Sequence, residues 1–245
     1  MQTSVLCIGD IHGDLDGFTE ILDRHANQSH YIVQLGDLVD RGSDSAGVLR
    51  TMFDIVDAGK GAFLRSNHDD KLYRYLLGRP VNISNGLNRT LESLDKQADR
   101  DALAARFIAA YERAPYWLDF GDHFFVHGAF HPAMREYASP DGAGNDGNRL
   151  RSLALFGETD GTRKDGFPNR THNWINSIPA GMAVYVGHDA QSLSEPVSKT
   201  GTQGGTAVFV DTGSGKGGYI SACALKTQGP AGGKGMNLAS PAILG

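Results

Sequence analysis

Five short segments of the chain share one pattern. Gly9-Asp10-Ile11-His12-Gly13, Gly36-Asp37-Leu38-Val39-Asp40-Arg41-Gly42, Ser66-Asn67-His68-Asp69, His127-Gly128 and Gly187-His188 each follow an apolar run, and each sets a small residue beside Asp, Asn or His. Carboxylate oxygen, amide oxygen and imidazole nitrogen suit divalent ions such as Mn, Fe or Zn, and the lack of a thiolate argues against an iron–sulfur cluster. Six residues qualify: Asp10, His12, Asp37, Asn67, His127 and His188. That is too many for one catalytic ion with open positions. It suits two ions about 3.5–4 Å apart that share one carboxylate. Such a pair acidifies a water between the ions and neutralises charge on a phosphoryl oxygen. A single Asp or His at a strand end is more often a cap or turn former; the joint occurrence of five such segments favours ligation.

These residues need a scaffold that ends several strands at one place. Val5–Ile8, His30–Leu35 and Gly61–Leu64 read as buried strands. Between them lie two helical patterns. One starts near Asp14 and carries Phe18, Ile21 and Leu22 on one face; the other runs from about Ser43 to Ala58, capped by Ser43 or Asp44. This β-α-β order implies a partly parallel sheet covered by helices, and α/β proteins place ligands at strand C-termini. Asp69 and Asp70 read as caps of the helix that follows them. The stretch from Asn88 to Arg113 reads as mostly helical. Tyr116–Phe120 and His123–His127 read as a hairpin whose Trp117, Phe124 and Phe125 belong to the core, and 139–149 as a Gly/Asp/Asn-rich loop. A short helix is expected around Trp174–Ser177, strands at Ala183–Val186 and Ala207–Val210, and a closing stretch at Tyr219–Leu225. Two sheets packed face to face with helices outside satisfy this order. Residues 1–228 form the catalytic domain in this reading, and the Gly/Pro/Ala-rich 229–245 a poorly ordered tail.

Composition narrows the function classes. The 245 residues are 40% apolar and 21% charged, with net charge −5 and a pI near 6.0. That excludes wholesale disorder and argues against a basic coat for nucleic acid or a polybasic membrane anchor. No apolar run approaches the roughly 18 residues of a membrane span, and Met1–Val5 lacks the basic and apolar regions of a leader. A cytoplasmic protein is expected. Cys7 and Cys223 each lie in an apolar run and read as small buried hydrophobes. His25, His30, His123, His131 and His172 fall outside the five segments and read as structural or surface histidines. Gly213-Ser214-Gly215-Lys216-Gly217-Gly218 suggests a phosphate loop but fails on spacing, because position 210 is Val and no Ser or Thr follows Lys216. It reads as a connection between strands.

The segment order resembles that of the calcineurin-like metallophosphoesterases, and Asp40-Arg41-Gly42 resembles their phosphoprotein-phosphatase branch. Downstream, Ala154–Thr159, Gly166–Arg170, Trp174 and Asp211-Thr212-Gly213 with Gly217-Gly218 are similar to bacterial members, namely PrpE-like diadenosine-tetraphosphatase-type enzymes and the phosphatase module of polynucleotide kinase–phosphatase. The resemblance runs from about residue 4 to about 226. It implies an α/β fold with mixed α+β character, a four-layer α-β-β-α sandwich. It implies that Asp10 and His12 hold one ion, that Asp37 bridges, and that Asn67, His127 and His188 complete the second. Manganese is the first expectation; iron, zinc, nickel or cobalt also suit the donors. Arg41, together with Asn67, would face the substrate phosphate. His68 would protonate the leaving oxygen, oriented by Asp40. A second basic phosphate ligand would be Arg170, with Arg151 behind it. The implied reaction is in-line attack by a hydroxide held between the ions.

The sequence departs from the family pattern at Ser66 (usually Gly), Ala129 (the second Gly of His-Gly-Gly), Asp189 (commonly Thr) and Ser43 (usually Pro). None removes a ligand, and Ser66, being small, is expected to do little harm. The leading expectation is a phosphomonoesterase, including action on phosphoserine or phosphothreonine in protein, with dinucleoside polyphosphate hydrolysis as the alternative. A silent metal-binding regulatory module is disfavoured by the intact Asp40, Arg41 and His68. An RNA-end repair role is disfavoured by the acidic pI.

Overall fold

The apolar run Val5–Ile8 is fully buried and becomes β1 (Thr3–Ile8), a strand covered on both faces. It belongs to a computed structural model that describes residues 3–84 and 86–227. The expected tail at 229–245 lies outside the described residues. After β1 the chain forms α1 (Leu15–Arg24), β2 (Tyr31–Gln34), α2 (Ser45–Asp57), β3 (Gly61–Phe63), α3 (Asn67–Leu76), α4 (Leu87–Asp95) and α5 (Arg100–Arg113). The second half runs β4 (Trp117–Asp119), β5 (His123–Val126), α6 (Gly147–Phe156), β6 (Thr159–Thr162), β7 (Pro168–Arg170), β8 (Ala183–Val186), β9 (Val197–Thr200), β10 (Thr206–Phe209) and β11 (Ala222–Thr227).

The strands make two large sheets. One has the order β11-β1-β2-β3, the other β4-β5-β8-β10-β9, and β6-β7 forms a separate exposed ribbon. In both large sheets the inner strands run parallel and antiparallel strands lie at edges: β11 pairs antiparallel with β1, β4 with β5, and β9 with β10. Three apolar clusters define four layers. Phe18, Leu49, Phe53, Phe107 and Tyr111 pack α1–α5 on the first sheet. Val5, Cys7, Val33, Leu35, Phe125, Tyr185 and Val210 fill the space between sheets. Phe124, Val184, Phe209, Leu150, Ala154 and Trp174 pack α6 and short 3-10 turns on the second sheet. The fold is thus an α-β-β-α sandwich whose second helical layer is thin. No helix among the described residues is long and apolar enough to cross a membrane.

The helix starts follow their capping chemistry. Asp14 and Asp44 accept the amides of Gly17 and Gly47 (3.0 and 2.8 Å) at the starts of α1 and α2. At α3 the cap is Ser66, not Asp69 or Asp70. The 139–149 segment is more ordered than its composition suggests. Pro140–Gly142 and Gly144–Asp146 are 3-10 turns and α6 begins at Gly147, because Leu150, Ala154 and Leu155 find a place in the core. The cysteines sit opposite each other on β1 and β11, Cys7 buried and Cys223 partly so, both as free thiols.

Candidate metal centre

Every parallel strand of the two large sheets ends in a polar residue at the same end of the molecule. Asp10 follows β1, Asp37 follows β2, and Asn67 follows β3 in one sheet. His127 follows β5, His188 follows β8, and Asp211 follows β10 in the other. The six residues expected as ligands therefore converge, and Asp211 joins them. Asp37 stands in the middle. Its Oδ2 lies 3.5 Å from His12 Nε2 and its Oδ1 3.5 Å from His127 Nε2. Asp10 Oδ2 lies 3.8 Å from His12 Nε2. Two groups of donors could each hold an ion, one containing His12, Asp37 and His68, the other Asp37, His127 and His188; Asp37 is common to both.

The backbone is bent to achieve this. His12, Asp37, Asp40, Arg41 and His188 have positive φ (53°, 56°, 75°, 65° and 66°), and among the described residues no other non-glycine does. Such conformations are costly for side-chain-bearing residues and concentrate at functional sites. Gly36 (φ 97°) permits the turn into Asp37, since a Cβ there would stand 2.5 Å from Ser66 Cβ and 3.1 Å from His127 Nδ1.

Hydrogen bonds aim the imidazoles. His12 Nδ1 pairs with the Val39 carbonyl (2.9 Å) and His127 Nδ1 with the Leu35 carbonyl (2.8 Å), so these nitrogens carry the proton and Nε2 presents its lone pair inward. Burial holds His12, His127 and His188 below the ordinary histidine value, which favours the neutral form that ligates a metal. Burial, then the charges of Asp211 and Asp37, raises Asp10. Burial also works against ionised Asp37, but His127, His68, His12 and His188 outweigh it and hold its carboxyl well below the usual range.

The donor set fits divalent cations. The His127 Nε2 lone pair faces the Asn67 Oδ1 acceptor at 3.0 Å. Asp211 Oδ2 is buried with no hydrogen-bond partner among the described residues. Converging acceptors and buried carboxylates of this kind are satisfied by positive charge.

Beside the centre lies a second group. His68 Nδ1 is 2.5 Å from Asp40 Oδ2, and His68 Nε2 is 3.2 Å from Arg41 Nη2. Arg41 Nη1 touches His12 Nε2. Lys71 Nζ pairs with Asp40 Oδ2 (2.9 Å), and the Thr90 hydroxyl donates to Asp40 Oδ1 (2.9 Å) while accepting the Asp40 amide (2.8 Å). Neither Lys71 nor Thr90 carries a sequence signal for this task. Asp69, although it is not the cap of α3, has a task of its own. It is fully buried, accepts the Leu38 and Val39 amides (3.1 and 3.3 Å) and receives the Ser66 hydroxyl (2.8 Å), so it braces the loop that carries Asp37. Burial, then the Asp37 charge, pushes Asp69 up to about 7.

The two candidate arginines differ. Arg170 Nη1 donates to the His188 carbonyl (3.0 Å) and lies 3.7 Å from Asp189 Oδ1, at the edge of the centre. Arg151 is not brought there: its guanidinium is engaged by Tyr116 Oη (3.1 Å) and Asp141 Oδ1 (2.5 Å). His131 caps a 3-10 turn through the Ala133 amide, and His172 pairs with Asp189 (2.8 Å).

The calcineurin-like phosphoesterase family model matches residues 3–191. The chain belongs to the calcineurin-like phosphoesterases. As a member of that family it is a metal-dependent phosphoric ester hydrolase with a two-metal site. It is 30% identical over 228 residues to the asymmetrical bis(5'-nucleosyl)-tetraphosphatase PrpE of Halalkalibacterium halodurans, covering 88% of this chain and 87% of that one. The PrpE of Bacillus subtilis is 29% identical over 222 residues, covering 84% of each chain. Among solved structures, a protein serine/threonine phosphatase from Saccharomyces cerevisiae superposes with a TM-score of 0.56 at 12% identity, over 94% of this chain and 81% of that one, which shows the shared phosphoesterase fold.

Proposed function

We propose that this phosphoesterase hydrolyses dinucleoside polyphosphates such as diadenosine tetraphosphate, cutting the bridge asymmetrically. The observation that carries the reading is the similarity, over most of both chains, to asymmetrical bis(5'-nucleosyl)-tetraphosphatases. It displaces phosphomonoester hydrolysis as the leading expectation. In this reading Asp10, His12 and Asp37 hold one ion, and Asp37, Asn67, His127 and His188 the other, with manganese the first metal to try. Bound there, the two ions would activate water and neutralise phosphoryl charge.

The chain's own residues do the rest. Arg41 offers a guanidinium fork to the phosphate next to the centre, and Arg170 offers a second beside His188. His68 lies within hydrogen-bonding distance of Arg41 and so beside any phosphate that Arg41 grips. It delivers a proton from Nε2 to the leaving oxygen. Asp40 fixes the ring by accepting at Nδ1, and Thr90 and Lys71 fix Asp40.

The intact Asp40–His68 pair favours a second reading. An alkoxide leaving group needs that proton more than a phosphate does, so phosphomonoesters, including phosphothreonine in protein, belong in the same experiment. Metal-stripped protein is reconstituted with Mn²⁺ and given diadenosine tetraphosphate, p-nitrophenyl phosphate and a phosphothreonine peptide side by side. Equal amounts of AMP and ATP from the dinucleotide, at the highest kcat/KM of the three, support the proposal. Turnover confined to the monoesters overturns it. His68→Asn is expected to lower kcat about 10²–10⁴-fold while leaving the melting temperature close to that of the wild type.

A further inference from the structure

The Gly213–Gly218 loop joins β10 to β11 and lies against the candidate centre. Gly215 has φ +70°, and a Cβ placed on it would stand 2.8 Å from Arg41 Cβ, 3.2 Å from Arg41 Cδ and 3.5 Å from His12 Cβ. The loop backbone therefore rests on the Arg41 stem. It is built to stay there. Asp211 Oδ1 accepts the Gly213 amide (2.8 Å), the Ser214 hydroxyl donates to the Ile11 carbonyl (2.7 Å), and the Lys216 and Gly218 amides both donate to the Gly213 carbonyl (2.9 and 3.0 Å). The next side chain, Lys216, is exposed and makes no ion pair or side-chain hydrogen bond among the described residues. Arg89 is also exposed and donates from Nη1 to the Arg41 carbonyl (2.9 Å).

We propose that Lys216, with Arg89, forms a second anionic subsite beside Arg41 that takes the part of a polyphosphate chain lying beyond the scissile bond. The inference rests on the dinucleoside polyphosphate reading above. An asymmetrical cut adds water across one P–O–P bond: the hydroxyl joins the attacked phosphorus, the bridging oxygen leaves with the other fragment, and AMP and ATP result. Three phosphates then lie to one side of the break. A monoester has no such extension and has no use for a cation beyond Arg41. Lysine suits the task as a compact, rotatable charge that binds phosphate without fixed geometry.

The test uses the Mn²⁺-loaded full chain and two probes, inorganic tripolyphosphate and orthophosphate, bound by calorimetry. Lys216→Ala is expected to lower the preference for tripolyphosphate over orthophosphate about tenfold. Lys216→Arg should restore most of it. The loss should shrink as salt rises from 0.05 to 0.5 M, as screening of an exposed charge requires; a merely structural lysine would show no such screening. With diadenosine tetraphosphate the same variant should raise KM and leave kcat nearly unmoved. A Lys216→Ala protein with wild-type tripolyphosphate preference overturns the subsite. The two proposals can fail separately. Wild-type protein that leaves the dinucleotide uncut while Lys216→Ala still weakens tripolyphosphate binding sinks the substrate reading and keeps the subsite. Cleavage to AMP and ATP with a KM insensitive to Lys216→Ala sinks the subsite and keeps the substrate reading.

Discussion

Replacing Ser66 with alanine should cost far more than the loss of one small side chain. Ser66 is wholly buried, and its hydroxyl makes three bonds: it accepts the Asp37 amide (2.7 Å), accepts the Asp69 amide as the cap of α3 (3.3 Å) and donates to Asp69 Oδ2 (2.8 Å). Losing the cap costs about 1 kcal/mol. The buried Asp37 amide is left without a partner, at roughly 1–3 kcal/mol. Asp69 keeps the Leu38 and Val39 amides, so its share is small. The total is about 2–4 kcal/mol, or roughly 4–16 °C in melting temperature for a chain of this size. Ser66→Gly, the family's usual residue, should fall between, since glycine caps almost as well as serine but still orphans the Asp37 amide. Thermal unfolding and urea titration with an unchanged slope would measure this. An alanine variant that melts within 2 °C of wild type would refute the idea that this hydroxyl holds the Asp37 loop.

Four further outcomes are expected. Thr90→Val removes the hydroxyl that both fixes and satisfies Asp40, so kcat should fall about 10–100-fold with Thr90→Ser close to wild type; equal activity in all three would remove Thr90 from the site. Mn²⁺ at a hundred times its Kd should add about 2.7 kcal/mol, roughly 5–11 °C, to the stripped protein, and Asp37→Asn should abolish that gain; a melting point indifferent to metal would count against the centre. In metal-free protein Asp69, with a folded value of about 7 against an ordinary 3.8, holds its proton more tightly folded than unfolded. Its contribution is therefore full below 3.8 and lost as pH rises through about 7, so the stability difference between wild type and Asp69→Asn should decline by about 4 kcal/mol across that window, and a constant difference would refute it. Arg41→Gly relieves a positive φ and should raise the melting temperature by about 2–4 °C while kcat/KM falls at least about 100-fold.

What the sequence reveals of the site is what lies next to a strand end. Asp10, Asp37, Asn67, His127 and His188 each stand within three residues of the end of an apolar run, so their convergence can be read from the alternation of strands and helices. Their supports cannot. Thr90 meets Asp40 across fifty positions of chain and Lys71 reaches it from one face of α3, contacts that exist only once the helices pack on the sheet. Asp211 ends a sixth parallel strand, but its sequence marks only a turn. The same holds for the Gly213–Gly218 loop: its spacing rules out a phosphate loop, yet nothing local shows that Gly215 will rest on Arg41. Of the fold, β6, β7 and β9 were least legible, because exposed strands bury no alternating face. The α6 start was hidden by glycine and asparagine that core contact through Leu150, Ala154 and Leu155 overrides.

The five positive-φ residues explain why so many supports are needed. A left-handed backbone costs a side-chain-bearing residue about 1 kcal/mol or more, and Asp37 and Asp40 bear it more easily than His12, Arg41 and His188. Together they cost about 5 kcal/mol, a large part of the 5–15 kcal/mol by which a whole domain is stable. The strain is met where it arises. Asp69, Ser66 and Gly36 brace the Asp37 turn, Thr90 and Lys71 brace Asp40, the Gly213–Gly218 loop lies along Arg41, and the His188 amide is held by both oxygens of Asp10 (3.1 and 3.2 Å). That last pair ties the end of β8 in one sheet to the end of β1 in the other. The sandwich is therefore closed at the centre itself, and positive charge bound among Asp10, Asp37 and Asp211 would strengthen the same junction that it needs for catalysis.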